Sequence, residues 1–429
     1  MHAERGILTF DKEPHAMTKR IVVTGIGASS AIGGTAPENW TNLLAGMSGG
    51  RSLEHEWVAE YELPVTFAAE AIVRPETVLA RPQAKRLDPS SQFAMVAAME
   101  AWEDAGTPDV DPERLGIDFA TGIGGVWTLL DAWDTLREKG PRRVMPMTVP
   151  MLMPNAAAGN LSLHFQARAF ARTVASACAS STESLVNAYE HLQAGLADVV
   201  IAGGTESAIH PITVASFASM QALSRRNDDP ATASRPYSVD RDGFVMGEGA
   251  GVLILETEEH AKARGAKIYA ELVGGGVTAD SYHITANDPE GRGAERAVRL
   301  ALEVAGRTPD EITHINAHAT STPVGDPNEY IALRNVIGDR VHQIPVSATK
   351  ASTGHLLGGT GALEAIYAIL AIRDRIAPPT INISTQDPEI PLLVSGDAQP
   401  LGDGPQLAIS NSFGFGGHNA VAAFADYEG

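Results

Sequence analysis

A pattern of apolar positions at helical spacing occurs twice in this chain, at residues 93–106 (FAMVAAMEAWEDAG) and at residues 293–306 (GAERAVRLALEVAG). Both runs end in Ala-Gly, which is typical of a helix end, so the spacing predicts two helices that start 200 residues apart. Each predicted helix is followed by a Thr-Pro-Asp turn and then by a β-rich run that ends in small residues. These β-rich runs are residues 117–125 (IDFATGIGG) and residues 312–321 (ITHINAHATS).

Further segments extend the duplication on both sides. Residues 20–27 (RIVVTGIG) and 267–275 (KIYAELVGG) are predicted to be the matching first strands. Two more helical runs are each predicted to lead into a strand: residues 178–194 with strand 199–202, and residues 362–372 with strand 380–383. Alternating strands and helices favour an α/β fold with mostly buried sheets, and two such halves would stack into a layered sandwich with a site at the seam. Chance similarity between α/β segments is the competing explanation, but helix, turn and strand agree in order.

The duplication divides the chain into an N-terminal extension at residues 1–16, a first half at residues 17–266 and a second half at residues 267–429. With 429 residues, 44% of them hydrophobic, the chain has enough apolar material for two cores. Residues 1–16 carry charges and lack an apolar stretch, so we do not expect a signal peptide. Met17 stands just before the first strand-like run, so this extension is expected to be loose or to reflect an upstream start codon.

Composition narrows the classes of function. A net charge of -20 and a pI near 5.0 argue against nucleic acid as a general partner. No apolar run approaches the roughly 20 residues of a membrane-spanning helix. The single cysteine, Cys178, excludes a disulfide within the chain and fits a reducing compartment, so a cytoplasmic location is expected.

Cys178 is the first candidate for chemistry. It lies among small residues in segment 174–181 (VASACASS), directly before a helical run. The unpaired N–H groups and the dipole of a helix N-terminus favour thiolate, the reactive form of cysteine. The competing interpretation is a small, buried and inert side chain, which is the common role of a lone cysteine.

Two histidines and a lysine lie in loops of the second half. His318 is in segment 316–325 (NAHATSTPVG), whose small residues and proline indicate a turn at a strand end. Lys350 directly follows the apolar run 344–348, and His355 follows it in segment 350–361 (KASTGHLLGGTG). This glycine-rich stretch lacks the Gly-Lys-Ser/Thr ending of a phosphate-binding loop, so no nucleotide is expected. Each histidine alone has a structural role as its ordinary alternative.

The last candidate segment is 410–419 (SNSFGFGGHN), in which glycines alternate with phenylalanines. Glycine lets the backbone approach a ligand closely and direct amides at it, although a tight hairpin with two core aromatics would give the same pattern. Cys178, His318 and His355 are zinc ligands by type, but their spacing matches no compact zinc motif and Lys350 would oppose a cation. No metal is expected.

Taken together, the segments around Cys178, His318, Lys350 and His355 and residues 413–417 resemble, in order and spacing, the β-ketoacyl-acyl carrier protein synthases of fatty acid and type II polyketide synthesis. The likeness spans roughly residues 19–426 and includes three further motifs: 203–206 (GGTE), 235–249 (RPYSVDRDGFVMGEG) and 378–382 (PPTIN). The resemblance implies the thiolase fold, a duplicated α/β/α/β/α five-layer sandwich that normally forms a homodimer. It also implies elongation of acyl chains by decarboxylative Claisen condensation with malonyl-acyl carrier protein.

By the same resemblance, the backbone N–H groups of Cys178 and Phe415 form an oxyanion hole around the acylated nucleophile. His318 and His355 hold the malonyl thioester oxygen where enolate charge develops, and Lys350 acts electrostatically. No cofactor is implied beyond the phosphopantetheine that carries the substrates. The remaining implied positions fall into three groups: Thr320 and Thr322 for the phosphopantetheine arm, Ile123, Phe413 and Phe415 for the acyl tunnel and its gate, and Asp326, Glu329 and Glu364 for a supporting polar shell.

The implied partner is an acidic acyl carrier protein, which must find a local basic patch on this acidic chain. Lys85 and Arg86 before a predicted helix, with Arg225 and Arg226, are the candidates, and ordinary solvated charge is the alternative for each.

Relatives with other activities fit the sequence less well. A biosynthetic thiolase uses a second cysteine, which this chain lacks, and the primer-type synthases pair one histidine with an asparagine where His355 stands here. The chain-length partner of polyketide systems lacks the nucleophile, so Cys178 argues against it. The catalytic subunit of a type II polyketide synthase heterodimer stays open as an alternative. The sequence resembles the actinobacterial elongating synthases in particular, with Ala319 and His418 as compatible departures. Thr148 replaces an aromatic residue of many relatives, which leaves the size of the pocket open.

Overall fold

A ten-stranded sheet organises the part of the chain that the computed structural model describes, residues 19–429. The predicted extension 1–16 lies outside these residues. The order of strands across the sheet is β10-β9-β13-β14-β8-β1-β7-β6-β4-β5, and β2 with β3 and β11 with β12 form two small sheets. The strands are β1 Ile21–Ser29, β2 Arg51–Ser52, β3 Phe67–Ala68, β4 Leu115–Ala120, β5 Phe170–Val174, β6 Val199–Glu206, β7 Gly249–Thr257, β8 Ala270–Ala279, β9 His314–Asn316, β10 Val346–Ser347, β11 Ile376–Ala377, β12 Gln399–Pro400, β13 Leu407–Gly414 and β14 His418–Ala425.

Helices alternate with these strands along the chain, and none of those described is long and apolar enough to cross a membrane. The helices are α1 Ala36–Leu44, α2 Glu56–Glu60, α3 Arg81–Ala84, α4 Pro89–Asp104, α5 Val126–Lys139, α6 Thr148–Leu152, α7 Ala156–Phe165, α8 Ser180–Gln193, α9 Pro211–Ser219, α10 Glu258–Ala263, α11 Arg292–Ala305, α12 Gly325–Ile337, α13 Lys350–Thr353 and α14 Thr360–Asp374.

The sheet consists of two half-sheets that repeat one topology. In the first, β5, β4 and β6 run parallel, and β7 and β1 follow antiparallel. In the second, β10, β9 and β13 run parallel, and β14 and β8 follow antiparallel. The halves join where β1 pairs with β8, and the two helices predicted from the repeated apolar spacing are α4 and α11 at equivalent places. The duplication predicted from the sequence is therefore present.

Five layers result from the way the helices cover the half-sheets. Helix α4 packs on β1 and β7 with α7 beside it, and α11 packs on β8 and β14 with α12 beside it. Between the half-sheets lie α8 and α14, and every residue of α14 from Thr360 to Ile372 is buried. A helix that is buried all round is largely apolar, and the run 362–372 accordingly has one charged residue, Glu364. The predicted α/β/α/β/α sandwich is confirmed.

One predicted strand is wrong. Residues 380–383 form a turn instead, and the strand equivalent to β6 in the second half is β13. Asn382 has a positive φ of 70°, and its side-chain amide donates to the carbonyl oxygens of Ala231 and Ser234. Pro378 and Pro379 lack the N–H groups that a central strand requires. Contacts to residues that are distant in sequence therefore determine the conformation of residues 380–383.

Candidate active site

Cys178 stands in a strained turn at the N-terminal end of α8. After β5, the chain forms a short 3₁₀ turn, Ala177–Ala179, before α8 begins at Ser180. Ala177 has a φ of 51°, in the left-handed region that a residue with a Cβ rarely occupies. The second half repeats the turn before α14, where Leu357 has a φ of 48° and Gly358 takes the place of the cysteine. Only the first of the two equivalent turns carries a nucleophile.

The protonation of Cys178 differs from the expectation that its place at a helix start favours thiolate. Burial raises the pKa of the Cys178 thiol to about 11, which outweighs the opposing effect of the positive charge of Lys350. Hydrogen bonding from the backbone N–H groups of Phe415 and Cys178 also lowers the thiol pKa, without reversing the rise. The resting group is a thiol at neutral pH. The two N–H groups converge beside the sulfur, where the carbonyl oxygen of an attacked acyl group would become an oxyanion.

The two histidines meet the cysteine across the seam. One ligand atom from each of Cys178, His318 and His355 lies within 4.8 Å of the other two, and the histidine ring centroids are 5.6 Å apart. The Thr360 hydroxyl lies 2.9 Å from His355 Nδ1, while His355 Nε2 is buried without a hydrogen-bond partner among residues 19–429. Burial, then the charge of Lys350, lowers the pKa of both histidines well below the usual range. Both imidazoles are therefore neutral and retain one N–H each.

Lys350 is fixed by a buried ion pair. Its ammonium contacts both carboxylate oxygens of Glu364, at 2.6 and 2.8 Å, and the Thr349 hydroxyl donates to the same carboxylate at 3.1 Å. Burial raises the pKa of Glu364 to about 7 against the opposing effect of Lys350. Lys350 thus supplies a fixed positive charge, held by α14, that acts on Cys178 and both histidines.

Two further buried acids hold the His318 loop by its backbone. Glu329 accepts from the N–H groups of His318 at 2.9 Å and Ala319 at 2.8 Å. Asp326 accepts from the N–H groups of Ser321 and Thr322 at 3.1 and 3.3 Å. Glu329 and Asp326 both lie on α12 and are almost completely buried, and burial raises the pKa of each.

Thr320 and Thr322, the positions predicted for the phosphopantetheine arm, are half-buried at the mouth of this loop. Their hydroxyl oxygens are 3.1 Å apart, close enough for a hydrogen bond between them. Ser321 between them has a φ of 68°, so the two threonines are held in a strained turn. The three acids of the predicted supporting shell therefore contact different groups. Glu364 contacts Lys350, Glu329 contacts the backbone of His318 and Ala319, and Asp326 contacts the backbone of Ser321 and Thr322.

The glycine-rich segment that begins at the end of β13 carries Phe413 and Phe415. Phe413 is buried 5.8 Å from the His318 ring, and Phe415 is half-buried beside Cys178, in a turn where Gly416 has a φ of 82°. The segment contacts a loop after β8 that the sequence reasoning missed: Gly416 N–H donates to the Ile284 carbonyl at 2.7 Å. Tyr282 and Ile284 in that loop are large apolar side chains that are exposed to solvent. Large apolar residues are usually buried, so only the structure shows that these two are exposed.

Ile123 lies in the loop after β4, at the place equivalent to the His318 loop. Its side chain is 39% exposed, so it is not the plain core residue that its type would suggest. A second residue that sequence reasoning left without a role, Glu206, accepts from the backbone of this loop. A signal that could have identified Glu206 is an acid at the end of the apolar strand 199–202, a position at which a strand presents side chains to a site.

The four residues predicted to dock the carrier protein differ in exposure and in ion pairing. Lys85 and Arg86 are exposed just before α4 and have no ion pair among the described residues. Arg225 is exposed, whereas Arg226 contacts Asp240 at 2.9 Å and Asp242 at 3.7 Å, so acids of its own chain already neutralise its charge. Lys85 lines a cleft of about 350 Å³ with Arg143 and the buried Thr148. Arg143, exposed and basic, was missed because it lies 58 residues further along the chain.

The Cys178, His318 and His355 trio has the ligand types and proximity of a zinc site. The nearby ammonium of Lys350, which already lowers the pKa of both histidines, opposes a second cation there. The geometry suits an organic substrate better: a nucleophilic sulfur, two N–H groups aimed at it, and two neutral imidazoles on the other side.

Comparison with known proteins gives consistent matches over most of the chain. The family models described as the N-terminal and C-terminal domains of beta-ketoacyl synthase match residues 18–261 and 269–384. The 3-oxoacyl-[acyl-carrier-protein] synthase 2 of Staphylococcus aureus N315 is 44% identical over 416 residues, covering 96% of this chain and 100% of the relative. The protein of the same name from Mycobacterium tuberculosis H37Rv is 42% identical over 409 residues, covering 95% of this chain and 97% of the relative.

Solved structures share the fold. A beta-ketoacyl synthase from Burkholderia phymatum has a TM-score of 0.87 at 34% identity, covering 96% of this chain and 100% of its own. A type II polyketide synthase ketosynthase, solved in complex with its acyl-carrier protein, has a TM-score of 0.88 at 31% identity with the same coverage.

Proposed function

The chain belongs to the β-ketoacyl synthase family, and we infer that it is an elongating 3-oxoacyl-[acyl-carrier-protein] synthase of fatty acid synthesis. It is an acyltransferase that joins an acyl group to malonyl-acyl carrier protein by decarboxylative Claisen condensation. The observation that carries the assignment is the convergence of the Cys178 sulfur, two backbone N–H groups and two neutral histidines within one buried site.

The first half-reaction is acyl transfer. We propose that the Cys178 sulfur attacks the carbonyl of an acyl thioester, and that the tetrahedral oxyanion accepts from the N–H groups of Cys178 and Phe415. Removing one such donor typically costs ~3 kcal/mol of transition-state stabilisation. Collapse expels the phosphopantetheine thiolate, which takes up the proton that the Cys178 thiol has lost. Lys350 lowers the thiol pKa and so makes loss of that proton easier.

The second half-reaction forms the carbon–carbon bond. Malonyl thioester loses carbon dioxide, and the electron pair of the broken bond becomes a thioester enolate. Its oxygen accepts hydrogen bonds from the N–H groups of neutral His318 and His355. The enolate carbon then attacks the acyl-Cys178 carbonyl, the carbon–sulfur bond breaks, and the Cys178 thiolate takes up a proton from solvent. The deeply lowered histidine pKa values support this role, because a neutral imidazole donates one N–H without bringing a second cation beside Lys350.

Intact mass spectrometry after incubation with a series of acyl carrier thioesters tests the assignment. We expect the chain to gain the mass of the acyl group at Cys178, and to release a 3-oxoacyl product, two carbons longer, when malonyl-acyl carrier protein is added. The proposal would be contradicted if an acyl adduct formed with none of the chain lengths. The lengths that react also report the acyl preference.

We further propose that both steps proceed without a metal or an added cofactor and that the enzyme works in the cytoplasm.

The catalytic subunit of a type II polyketide heterodimer is the second candidate, supported by the shape likeness to a polyketide ketosynthase. The identity to that ketosynthase is 31%, against 42–44% for the synthases of fatty acid type, so the elongating role is favoured.

We propose a homodimer formed at β5. Ala171 and Arg172 leave this edge strand exposed, whereas the opposite edge is covered because Val346 N–H donates to the Leu393 carbonyl. Gel filtration of the chain expressed alone separates an active homodimer from an inactive half of a heterodimer.

Reversing the charge at Lys85 and Arg86 should weaken use of the carrier-bound substrate. We propose that an acyl carrier protein docks on Lys85 and Arg143, which line the cleft of about 350 Å³, and on the neighbouring Arg86. A local basic surface is needed because an acidic carrier must overcome the negative charge of the whole chain. The Lys85→Glu/Arg86→Glu variant should raise KM for acyl carrier substrates about tenfold and flatten its salt dependence. Small pantetheine thioesters should react at an unchanged rate.

The Arg296→Glu/Arg334→Glu variant is the matched control for this prediction. Both residues are exposed on the outer helices of the second half, and neither has an ion pair among residues 19–429. The control changes net charge by the same amount and should leave KM close to that of the unchanged enzyme. Equal losses with carrier-bound and small substrates, or equal losses in the control, would contradict docking at Lys85 and Arg86.

Enlarging Ile123 should shorten the accepted acyl chain. We propose that Ile123 lines the acyl tunnel and that Phe415 gates it beside Cys178, which the 39% exposure of the Ile123 side chain supports. Ile123→Phe fills space that a long chain needs before it affects a short one. Single-turnover acylation with a short and a long acyl carrier thioester should show the long-chain rate falling about tenfold more than the short-chain rate. An equal fall at both lengths, with a lower Tm, would indicate a structural residue instead.

A further inference from the structure

One buried carboxylate beside the active site has no role in the mechanism above. Glu206 ends β6 and is completely buried. Its carboxylate accepts four hydrogen bonds: from the Thr121 hydroxyl at 2.9 Å and from the backbone N–H groups of Gly122 at 2.7 Å, Ile123 at 3.2 Å and Gly358 at 3.1 Å. All four donors are neutral groups, so hydrogen bonding rather than an ion pair holds this side chain in place.

The donors come from two segments that meet at the seam. Gly122 and Ile123 belong to the loop after β4, and Gly358 belongs to the turn after His355. The segments touch backbone to backbone: a Cβ on Gly122 would lie 2.7 Å from Glu206 Oε2, and a Cβ on Gly358 would overlap the Gly122 backbone. With no room for side chains between them, the Glu206 carboxylate is the group that ties the two segments together.

In the second half, Glu329 performs a similar task from α12, a different element from the strand that carries Glu206. Glu329 accepts from two consecutive N–H groups, those of His318 and Ala319, and thereby fixes the loop that carries a catalytic histidine. Glu206 accepts from the consecutive N–H groups of Gly122 and Ile123 in the equivalent loop of the first half. In both loops, a buried carboxylate accepts from two consecutive backbone N–H groups, once at His318 and once at Ile123.

We propose that Glu206 is a positioning residue for acyl-chain selection, which holds the Ile123 loop against the turn after His355 and so sets the width of the acyl tunnel. This inference rests on the proposed function, because that proposal places Ile123 in the tunnel. The half-exposed Ile123 side chain is not locked by its own packing, so its backbone anchors decide where it stands. In Glu206→Gln, an amide NH₂ must face N–H donors that now meet a carboxylate oxygen, and the loop loses part of its anchorage.

Single-turnover acylation of Cys178 by Glu206→Gln tests the proposal. The donors are two acyl carrier thioesters, one of the length that the unchanged enzyme prefers and one that it disfavours. We expect the ratio of the two rates to move about tenfold toward one, the size expected for losing a hydrogen bond to a charged acceptor. Alkylation of Cys178 by iodoacetamide, which needs no tunnel, should not slow, because the negative charge of Glu206 raises the pKa of the thiol.

A double-mutant cycle distinguishes positioning from general stability. In an Ile123→Ala background, Glu206→Gln should hardly change the ratio of rates, because the side chain that conveys the effect is gone. Thr121→Val removes one donor and should shift the ratio in the same direction, whereas Thr121→Ser keeps the hydroxyl and should not. If Glu206→Gln fails to fold, the comparison of Thr121→Val with Thr121→Ser still tests the proposal.

An unchanged ratio in both Glu206→Gln and Thr121→Val would overturn the inference, and so would additive effects in the cycle. Failure of the proposed function has a different signature, because the unchanged enzyme would then form no acyl-Cys178 at all.

Discussion

Replacing Cys178 with alanine is expected to abolish condensation. Cys178 is the single cysteine of the sequence, and its sulfur lies within 4.8 Å of one nitrogen of His318 and one nitrogen of His355. Without it the acyl group has no covalent attachment from which to accept the enolate. Loss of the nucleophile in enzymes that use covalent acyl transfer typically lowers kcat by about 10⁴-fold or more. The measurement is 3-oxoacyl product formed from acyl and malonyl carrier thioesters.

The Cys178→Gln variant separates the two half-reactions. Condensation should be lost as in the alanine variant, but malonyl decarboxylation should persist. The glutamine amide oxygen can accept from the N–H groups of Cys178's own position and of Phe415, as the carbonyl of the acyl-enzyme would. Decarboxylation depends on His318 and His355, which the substitution leaves in place. Full condensing activity in Cys178→Ala would end the assignment of this residue as the nucleophile.

The sequence predicts the duplicated helices well because their signal is local. The apolar spacing in α4 and α11, and the Ala-Gly that ends each run, depend only on neighbours three and four positions away. The strand predicted at residues 380–383 fails because distant partners decide it. The Asn382 side chain donates to carbonyl groups about 150 residues earlier, and Pro378 precedes it where a strand would need an N–H.

The candidate site divides in the same way. That Cys178, His318, Lys350 and His355 lie together could be predicted, because each stands among small residues at the end of an element. Their protonation could not, since desolvation sums over the whole fold: it raises the Cys178 pKa although a helix start favours thiolate. The role of Glu206 was hidden for a related reason, because its donors lie in segments that are distant from it in the chain.

Replacing Lys350 with methionine is expected to destabilise the fold by about 3–5 kcal/mol, because the buried Glu364 loses its partner and must either stay charged without compensation or bind a proton. The Lys350 ammonium contacts both oxygens of Glu364 at 2.6 and 2.8 Å, and the two side chains are 1% and 0% exposed. Denaturant unfolding at pH 8 measures the loss. Acyl transfer should also slow, since the charge that lowers the Cys178 thiol pKa is removed.

The pH dependence and a double variant identify the cause. Burial already raises the pKa of Glu364 to about 7, above its value in the unfolded chain. Below pH 7 the folded enzyme therefore binds more protons at Glu364 than the unfolded chain does. The folded enzyme loses stability as the pH rises toward 7. Without Lys350 the Glu364 pKa rises further, and this loss continues above pH 7. The stability difference between Lys350→Met and the unchanged enzyme should therefore grow from pH 7 to pH 9. The Lys350→Met/Glu364→Gln variant, which carries no buried charge at this place, should recover most of the stability and lose the dependence on pH. Equal stabilities of the single and the double variant at pH 9 would show that Glu364 is not left unpaired, and that the ion pair does not fix Lys350 in the site.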